Sequence, residues 1–183
     1  QIDPSLSDLE KALAVHDYLA LHCEYDFDRL NSGTLPSISH TAYGALVNRM
    51  AVCDGYAGAF AYIMKDRFQV PCIMVSSSQM AHAWNMINIG NEWYHVDVTW
   101  DDPVRDLVGR VAHDYFMLSD SVISDSEHEH MGWVSEYEAT SAEYSGAFWT
   151  DVSSAIIYQQ GAWHYSKYHA DTRKVNLVKK SSL

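Results

Sequence analysis

The sequence is poor in cysteine and proline and contains no long hydrophobic run. Three cysteines in 183 residues are an odd number without the regular spacing of a disulfide scaffold, so at least one thiol is expected to be free. No apolar stretch approaches the roughly 20 residues that span a bilayer, and no signal peptide is visible. These absences indicate a soluble chain with no membrane partner.

Positive charge is also scarce. The 12 Lys and Arg residues stand against 24 Asp and Glu residues, which gives a formal net charge of −12. Such a charge repels phosphate backbones and anionic bilayers and so argues against nucleic acid or membrane surfaces as partners. The start at Gln1 suggests a removed targeting segment, so we expect a secreted or cell-envelope protein, with the cytoplasm as the alternative.

Apolar residues are abundant, at 48% of the chain, enough for one main core and a small second module. Ser7 and Glu10 fit a capping box, and helical spacing of apolar residues predicts a helix over Asp8–His22. Ser39 is predicted to cap a short helix over 41–48 that leads into Cys53.

Residues 54–68 are apolar on nearly every side, which predicts a buried central helix. Gly55 and Gly58 form helices poorly, so we expect another backbone or a substrate to approach closely there. A strand is predicted over 70–75. Two more strands, over 81–89 and 92–98, are separated only by Gly90 and Asn91, a hairpin signal.

The C-terminal part follows a strand-like segment over 115–118 and an acidic, Ser-rich stretch. Short strands are predicted over 155–158, 163–165 and 174–178, around Gly161 and Asp171. We expect a catalytic domain over residues 1–120 and an extension over 121–183 that packs on the same domain.

The two-residue loop fixes the register of the predicted hairpin. If Ile89 faces Glu92, the pairs that follow are Met86 with His95, Trp84 with Asp97, and His82 with Thr99. His82 and Asp97 then share one face of the sheet, one diagonal step of roughly 7–8 Å apart. The sequence thus predicts a His–Asp pair, with His95 on the same face as an alternative partner.

A carboxylate on one imidazole nitrogen fixes the tautomer and leaves the other nitrogen to take a proton from a nucleophile. Cys53 precedes the predicted central helix, whose dipole and a nearby protonated His favour the reactive thiolate. The alternative for Cys53 is a small core residue, and for His82 a structural histidine.

Two groups of residues are alternative candidates for a metal site. One would use Cys53, His82 and His95, and the other His128, Glu129 and His130. The second set lacks a zinc-binding spacing and sits in polar sequence, which favours a solvated loop. We therefore expect no metal and no cofactor.

Three ordered motifs carry a family resemblance, and they are Ala51-Val52-Cys53-Asp54-Gly55-Tyr56-Ala57, His82-Ala83-Trp84-Asn85 and Trp93-Tyr94-His95-Val96-Asp97-Val98-Thr99-Trp100-Asp101-Asp102-Pro103. Over residues 41–118 the chain resembles the transglutaminase-like superfamily, particularly its bacterial protease-like members. The resemblance implies an α+β papain-like fold, with N-terminal helices and an antiparallel sheet.

The resemblance also implies residue roles: Cys53 as nucleophile, His82 as general base and acid, and Asp97 as the orienting carboxylate. It supports His82 over His95. An active cysteine peptidase or transglutaminase-type acyltransferase on peptide or protein amides is thus expected, although some eukaryotic relatives have lost triad residues and act as scaffolds. Hydrolysis and transamidation are not separated by the sequence.

The expected reaction is attack of the Cys53 thiolate on an amide carbonyl, with the oxyanion stabilised by the Cys53 backbone N–H. A second donor is expected from an upstream side chain: Tyr43, with His40 and Asn48 as alternatives. Trp84 is predicted to shield the His–Asp bond from water.

A non-enzymatic protein- or glycan-binding scaffold is the alternative function. It would use the C-terminal aromatic residues, which are Trp133, Trp149, Trp163, Tyr165 and Tyr168.

Overall fold

The computed structural model describes residues 2–102, 104, 109–169 and 174–182. The helices are α1 (Asp8–His22), α2 (Phe27–Ser32), α3 (Cys53–Ala61), α4 (Val98–Asp101) and α5 (Asp120–Ile123). The strands are β1 (Glu24–Tyr25), β2 (Met50–Ala51), β3 (Cys72–Ser77), β4 (His82–Ile89), β5 (Glu92–Val96), β6 (Phe116–Leu118), β7 (Ile157–Gln159), β8 (Ala162–His169) and β9 (Lys174–Lys180). This content confirms the predicted α+β class.

Helix α1 has the predicted bounds and the predicted cap. The Ser7 hydroxyl accepts from the backbone N–H of Glu10, and the Glu10 carboxylate accepts from the backbone N–H of Ser7. These bonds satisfy two helix-terminal donors that would otherwise lack partners. The capping-box prediction is therefore confirmed.

The segment before Cys53 differs from the prediction. Ser39 lies in a 3-10 turn over Ser37–His40, and its hydroxyl donates to Asp26 Oδ2 at 2.7 Å. Thr41 Oγ1 accepts instead from the backbone N–H of Gly44, ahead of a π-helical turn over Gly44–Asn48. Ser39 as a helix cap is thus wrong, because a buried carboxylate takes its hydroxyl.

The central helix α3 continues as a π-helical segment over Tyr62–Arg67, close to the predicted end. A Cβ on Gly55 would lie 2.6 Å from the backbone oxygen of Ser39, so a larger residue would clash there. A Cβ on Gly58 would have only ordinary contacts. The expected close approach is confirmed at Gly55 and is wrong at Gly58.

The main sheet is antiparallel, with strand order β3-β4-β5-β6. Gly90 and Asn91 both have positive φ, as a tight two-residue hairpin turn requires. The ladder pairs Ile89 with Glu92 and Met86 with His95, so this part of the predicted register is confirmed.

The ladder ends at Asn85 opposite Val96. Beyond it, the Asp97 side chain caps helix α4, and Thr99 lies in that helix rather than opposite His82. His82 pairs instead with Ser77 on β3. The predicted pairs of Trp84 with Asp97 and of His82 with Thr99 are therefore wrong, because the chain enters helix α4, which Asp97 caps, directly after the strand.

Helix α3 packs on β4, where the Asn85 side-chain amide donates to the Ala57 carbonyl at 3.0 Å. The C-terminal strands β7-β8-β9 form a separate antiparallel sheet. Trp149 and Trp163 from this part are buried in the same hydrophobic core as Leu13 and Phe60. The predicted domain boundary at residue 120 stays a prediction.

Within the described residues, no helix has the length and apolar content to cross a membrane.

Candidate active site

Cys53 is the first residue of α3 and is partly exposed, whereas Cys23 and Cys72 are buried. All three thiols are free, as the cysteine count predicts for at least one. Burial raises the pKa of Cys23 and of Cys72 to about 12. Only Cys53 therefore combines a free thiol with access to solvent and a helix N-terminus.

His82 and Asp97 form the predicted hydrogen bond. His82 Nε2 lies 2.5 Å from Asp97 Oδ2, and both side chains are buried. Nε2 is taken by the carboxylate, and the Cys53 side chain lies close enough to the same ring to raise its pKa. The structure thus brings Cys53, His82 and Asp97 together in one chain of contacts.

The pKa of His82 is raised to about 9. Burial favours the neutral ring, but hydrogen bonds with Asp97 and with Cys53, together with their charges, outweigh it. The imidazolium of His82 is therefore the favoured form at neutral pH. A protonated His beside a thiol is the arrangement that stabilises a thiolate.

Asp97 is held by four donors. Its Oδ1 accepts from the backbone N–H groups of Thr99 and Trp100. Its Oδ2 accepts from His82 and also from His130 Nε2, at 2.8 Å. The pKa of Asp97 is lowered, because the bonds from His130 and His82 outweigh the burial that opposes ionisation.

His130 contacts Asp97, whereas the sequence suggested it only as part of a metal site that was less favoured than a solvated loop. Its side chain is fully buried, so the predicted solvated loop is wrong at this position. His128 is partly exposed and bonds Asp125, while Glu129 is exposed. No local pattern marks His130, because both preceding residues are polar and only the fold turns it inward.

His95, the alternative partner, belongs to a different network. Its Nδ1 accepts from Trp84 Nε1 at 2.9 Å, and its Nε2 donates to Asp120 Oδ1 at 2.7 Å. Burial lowers the pKa of His95, in agreement with a neutral ring. The Trp84 ring also stacks on His82, with centroids 5.6 Å apart.

A cleft of about 390 Å³ opens beside His82. Its described lining includes Tyr25, Phe27, Leu30 and Trp100. The short parallel pairing of β1 with β2 brings Tyr25 opposite Ala51, two residues before Cys53.

Tyr25 is electrostatically coupled to the reactive groups. Burial and the charges of Cys53, Asp54 and Asp97 raise its pKa to about 12, so its hydroxyl keeps its proton. The parallel bridge that places Tyr25 in the cleft is only two residues long, and no sequence pattern indicated it.

Tyr43, His40 and Asn48, the upstream residues that the sequence suggests for oxyanion stabilisation, are all exposed. Tyr43 is 57% exposed. His40 bonds the Asp54 carboxylate at 2.8 Å. The role given to Tyr43 stays a prediction, as does the role of Trp84. Pro103, the last residue of the third motif, lies outside the described residues.

Two groups of side chains in the described part of the chain have the spacing to hold a metal, namely His82, Asp97 and His130, and His16, Asp17 and His113. Within each group the histidines contact the carboxylate at 2.5 to 3.0 Å. These are hydrogen-bond distances.

The family model of the transglutaminase-like superfamily matches residues 1–98. The chain belongs to this superfamily. The resemblance to the superfamily and the α+β papain-like fold that it implied are therefore confirmed, while the likeness to its bacterial protease-like members stays a prediction. Members generally have cysteine-dependent acyltransferase or peptidase activity and act on protein substrates.

Two curated relatives are kyphoscoliosis peptidases. The mouse protein is 28% identical over 114 residues, which cover 55% of this chain and 17% of that protein. The human protein is 27% identical over 116 residues, which cover 56% of this chain and 17% of that protein. The chain thus spans less than a fifth of the length of these relatives.

One solved structure, described as that of a TGase, aligns with a TM-score of 0.44 and 19% identity. The alignment covers 52% of this chain and 27% of that chain.

Proposed function

We propose that this domain is a cysteine-dependent acyl-transfer enzyme that acts on amide bonds of peptides or proteins. The observation that carries the proposal is the chain of contacts from the partly exposed Cys53 through His82 to Asp97, beside an open cleft. The superfamily and the peptidase names of its curated relatives support the same reaction class.

In the first half of the reaction, the Cys53 thiolate attacks the amide carbonyl and forms a carbon–sulfur bond. The tetrahedral oxyanion then collapses, the carbon–nitrogen bond breaks, and the leaving amine takes its proton from the His82 imidazolium. Asp97 holds the His82 ring in place and stabilises its charge during this step. The product is a thioester on Cys53.

In the second half, neutral His82 takes a proton from water or from a primary amine. That nucleophile attacks the thioester, and the carbon–sulfur bond breaks. Water gives hydrolysis and an amine gives transamidation, from one common intermediate.

The oxyanion needs preorganised donors. The backbone N–H of Cys53 at the start of α3 is one. We assign the second to the Tyr25 hydroxyl, because Tyr25 lines the cleft with His82, stays protonated and senses the charge of Cys53. Tyr43 is the weaker choice because its ring points largely into solvent.

Trapping of the acyl-enzyme tests the proposal. The protein is incubated with casein and with glutamine-containing peptides, quenched with acid and analysed by mass spectrometry. We expect an acyl group on Cys53 that is released by water or by an added fluorescent primary amine. If Cys53 is never acylated, and Cys53→Ala turns over substrate as fast as the parent, the proposal fails.

The scaffold alternative receives no support from the C-terminal aromatic residues. Trp149 and Trp163 are 3% and 0% exposed, so they are core residues rather than a binding surface. Trp133 packs edge-on against Trp84. The side chain of Tyr168 lies outside the described residues.

A further inference from the structure

His130 is a buried histidine whose two ring nitrogens both face acceptors. Its Nδ1 lies 2.9 Å from the backbone carbonyl of His128, and its Nε2 lies 2.8 Å from Asp97 Oδ2. A carbonyl oxygen can only accept a hydrogen bond, and the same is true of an ionised carboxylate. Both nitrogens must therefore carry a proton, which makes His130 an imidazolium.

The state of Asp97 supports this assignment. Its Oδ1 is occupied by two backbone N–H groups, so Oδ2 must serve His82 and His130 together. A carboxylate that accepts four hydrogen bonds is stabilised in its ionised form. A fully buried carboxylate that is ionised also needs opposite charge close by.

A metal ion would be a different source of that charge, but the distances argue against one. Zinc ligands lie about 2.0–2.1 Å from the ion, which places two ligand atoms of a tetrahedral site about 3.3 Å apart. Asp97 Oδ2 is 2.5 Å from His82 Nε2 and 2.8 Å from His130 Nε2. These distances are those of hydrogen bonds, in which a proton lies between the two atoms.

Aromatic rings enclose His130. Its ring centroid lies 4.4 Å from Trp100, 4.8 Å from Trp84 and 5.4 Å from Tyr115. These rings and the full burial of His130 keep water away from its imidazole. The titratable and charged groups around it are Asp97 and His82 from the site, His95 behind Trp84, Tyr115 beside it, and His128 and Glu129 on its own loop.

We propose that His130 is a positioning residue of this site: as a buried imidazolium it holds Asp97 Oδ2 in place against His82 and balances part of the carboxylate charge. Because the two rings share one oxygen, Asp97 holds the proton of His82 less tightly than an unshared carboxylate would. His130 thereby sets the pH range in which His82 can release that proton. The inference rests on the proposed function for the roles of His82 and Asp97.

The test follows the imidazole nitrogens by NMR in protein labelled with ¹⁵N-histidine, with no substrate present. At pH 7 we expect both nitrogens of His130 to be protonated, whereas His95 carries a proton on Nε2 alone. A His130 ring with a single protonated nitrogen at pH 7 would overturn the proposal. This reading uses the unmodified protein, so it does not depend on any variant folding.

The second reading is the titration midpoint of His82 in His130→Gln, a variant that keeps a donor near Asp97 but removes the charge. We expect the midpoint to rise by about one pH unit. His128→Gln is the matched control, because that ring bonds Asp125 rather than Asp97, and its midpoint for His82 should equal the parent value.

A His130→Gln variant that is folded and keeps the parent midpoint would contradict the proposal, since a merely structural residue would change stability alone. Failure of the proposed function has a different signature. In that case Cys53 is never acylated, whereas the protonation of His130 and the His82 midpoints are as expected.

Discussion

The described residues contain two clusters in which one buried carboxylate is shared by two histidines, and one of them lies beside the partly exposed Cys53. Asp97 is shared by His82 and His130. Asp17 is shared by His16 and His113, at 2.8 and 3.0 Å. The two clusters have the same composition and similar distances.

They differ in what the remaining ring nitrogens contact. In the second cluster, His16 Nε2 bonds Asp101 and His113 Nδ1 bonds the Val152 carbonyl, so every nitrogen faces a buried acceptor. In the first cluster, His82 bonds only Asp97 among these carboxylates, and its ring interacts with the Cys53 side chain. A titratable cluster thus becomes a candidate for catalysis through an accessible nucleophile, not through its composition.

The second cluster, called the closed cluster because each of its ring nitrogens faces a buried acceptor, also connects distant parts of the chain. Asp17 Oδ2 also accepts from the backbone N–H of Ile156, and Asp101 accepts from the backbone N–H of Tyr115. The cluster therefore ties helix α1 to helix α4, which follows Asp97, and to the C-terminal part of the chain.

The largest effect on the reaction is expected from Asp97→Asn. An amide cannot hold the His82 imidazolium, and the acylation rate per folded molecule should fall about 10³- to 10⁴-fold. Acyl-enzyme formation on Cys53, corrected for the folded fraction, measures it. An unchanged rate would remove Asp97 from the site.

Asp17→Asn should have the opposite profile. It removes the buried carboxylate that His16 and His113 share, which should lower the free energy of unfolding by about 3–5 kcal/mol. Urea unfolding measures this loss. The acylation rate per folded molecule should stay within about threefold of the parent, and a loss comparable to that of Asp97→Asn would show that the two clusters are not separate in function.

The pH dependence of stability should reveal the closed cluster. Burial opposes the charge on His16, but Asp101 and Asp17 raise its pKa to about 9. This value lies above about 6.5 for an unfolded histidine. Its contribution is therefore complete below about pH 6.5 and is lost as the pH rises through about 9, at most about 3 kcal/mol.

Urea unfolding at pH 6.5 and at pH 9.5 measures that loss. His82 titrates in the same window, so the comparison with His16→Gln isolates the closed cluster. The variant should lose less stability between the two pH values than the parent does. Equal losses in both proteins would contradict the assignment of a charged His16.

A smaller effect is expected at the oxyanion. Tyr25→Phe removes the hydroxyl proposed as the second oxyanion donor and should slow acylation about 10- to 100-fold. Tyr43→Phe is the matched control on an exposed ring and should leave the rate within about twofold of the parent. The reverse result would return the role to Tyr43.

Local rules account for what the sequence predicted. The capping box fixes the start of α1, and the two-residue turn fixes the hairpin register as far as Val96. The proximity of His82 and Asp97 followed from that register, although the exact pairing did not. One carboxylate oxygen of Asp97 caps helix α4, and the strand pattern of the sequence does not predict this cap.

What the sequence could not predict depends on contacts between distant segments. Tyr25 reaches the cleft through a two-residue parallel bridge, which is too short to leave a pattern. His130 comes from a polar loop 33 residues after Asp97 and is buried next to aromatic rings from other segments. The bond between His95 and Asp120 also joins segments that are distant in the sequence, and it leaves His95 outside the site.

Alkylation of the native protein with iodoacetamide, read by mass spectrometry at each cysteine, tests the central claim most directly. Cys53 should be labelled well before Cys23 and Cys72, whose thiols are buried, and His82→Ala should remove most of that advantage. Equal labelling of all three cysteines, or an advantage of Cys53 that persists in His82→Ala, would contradict an activated thiol at this site.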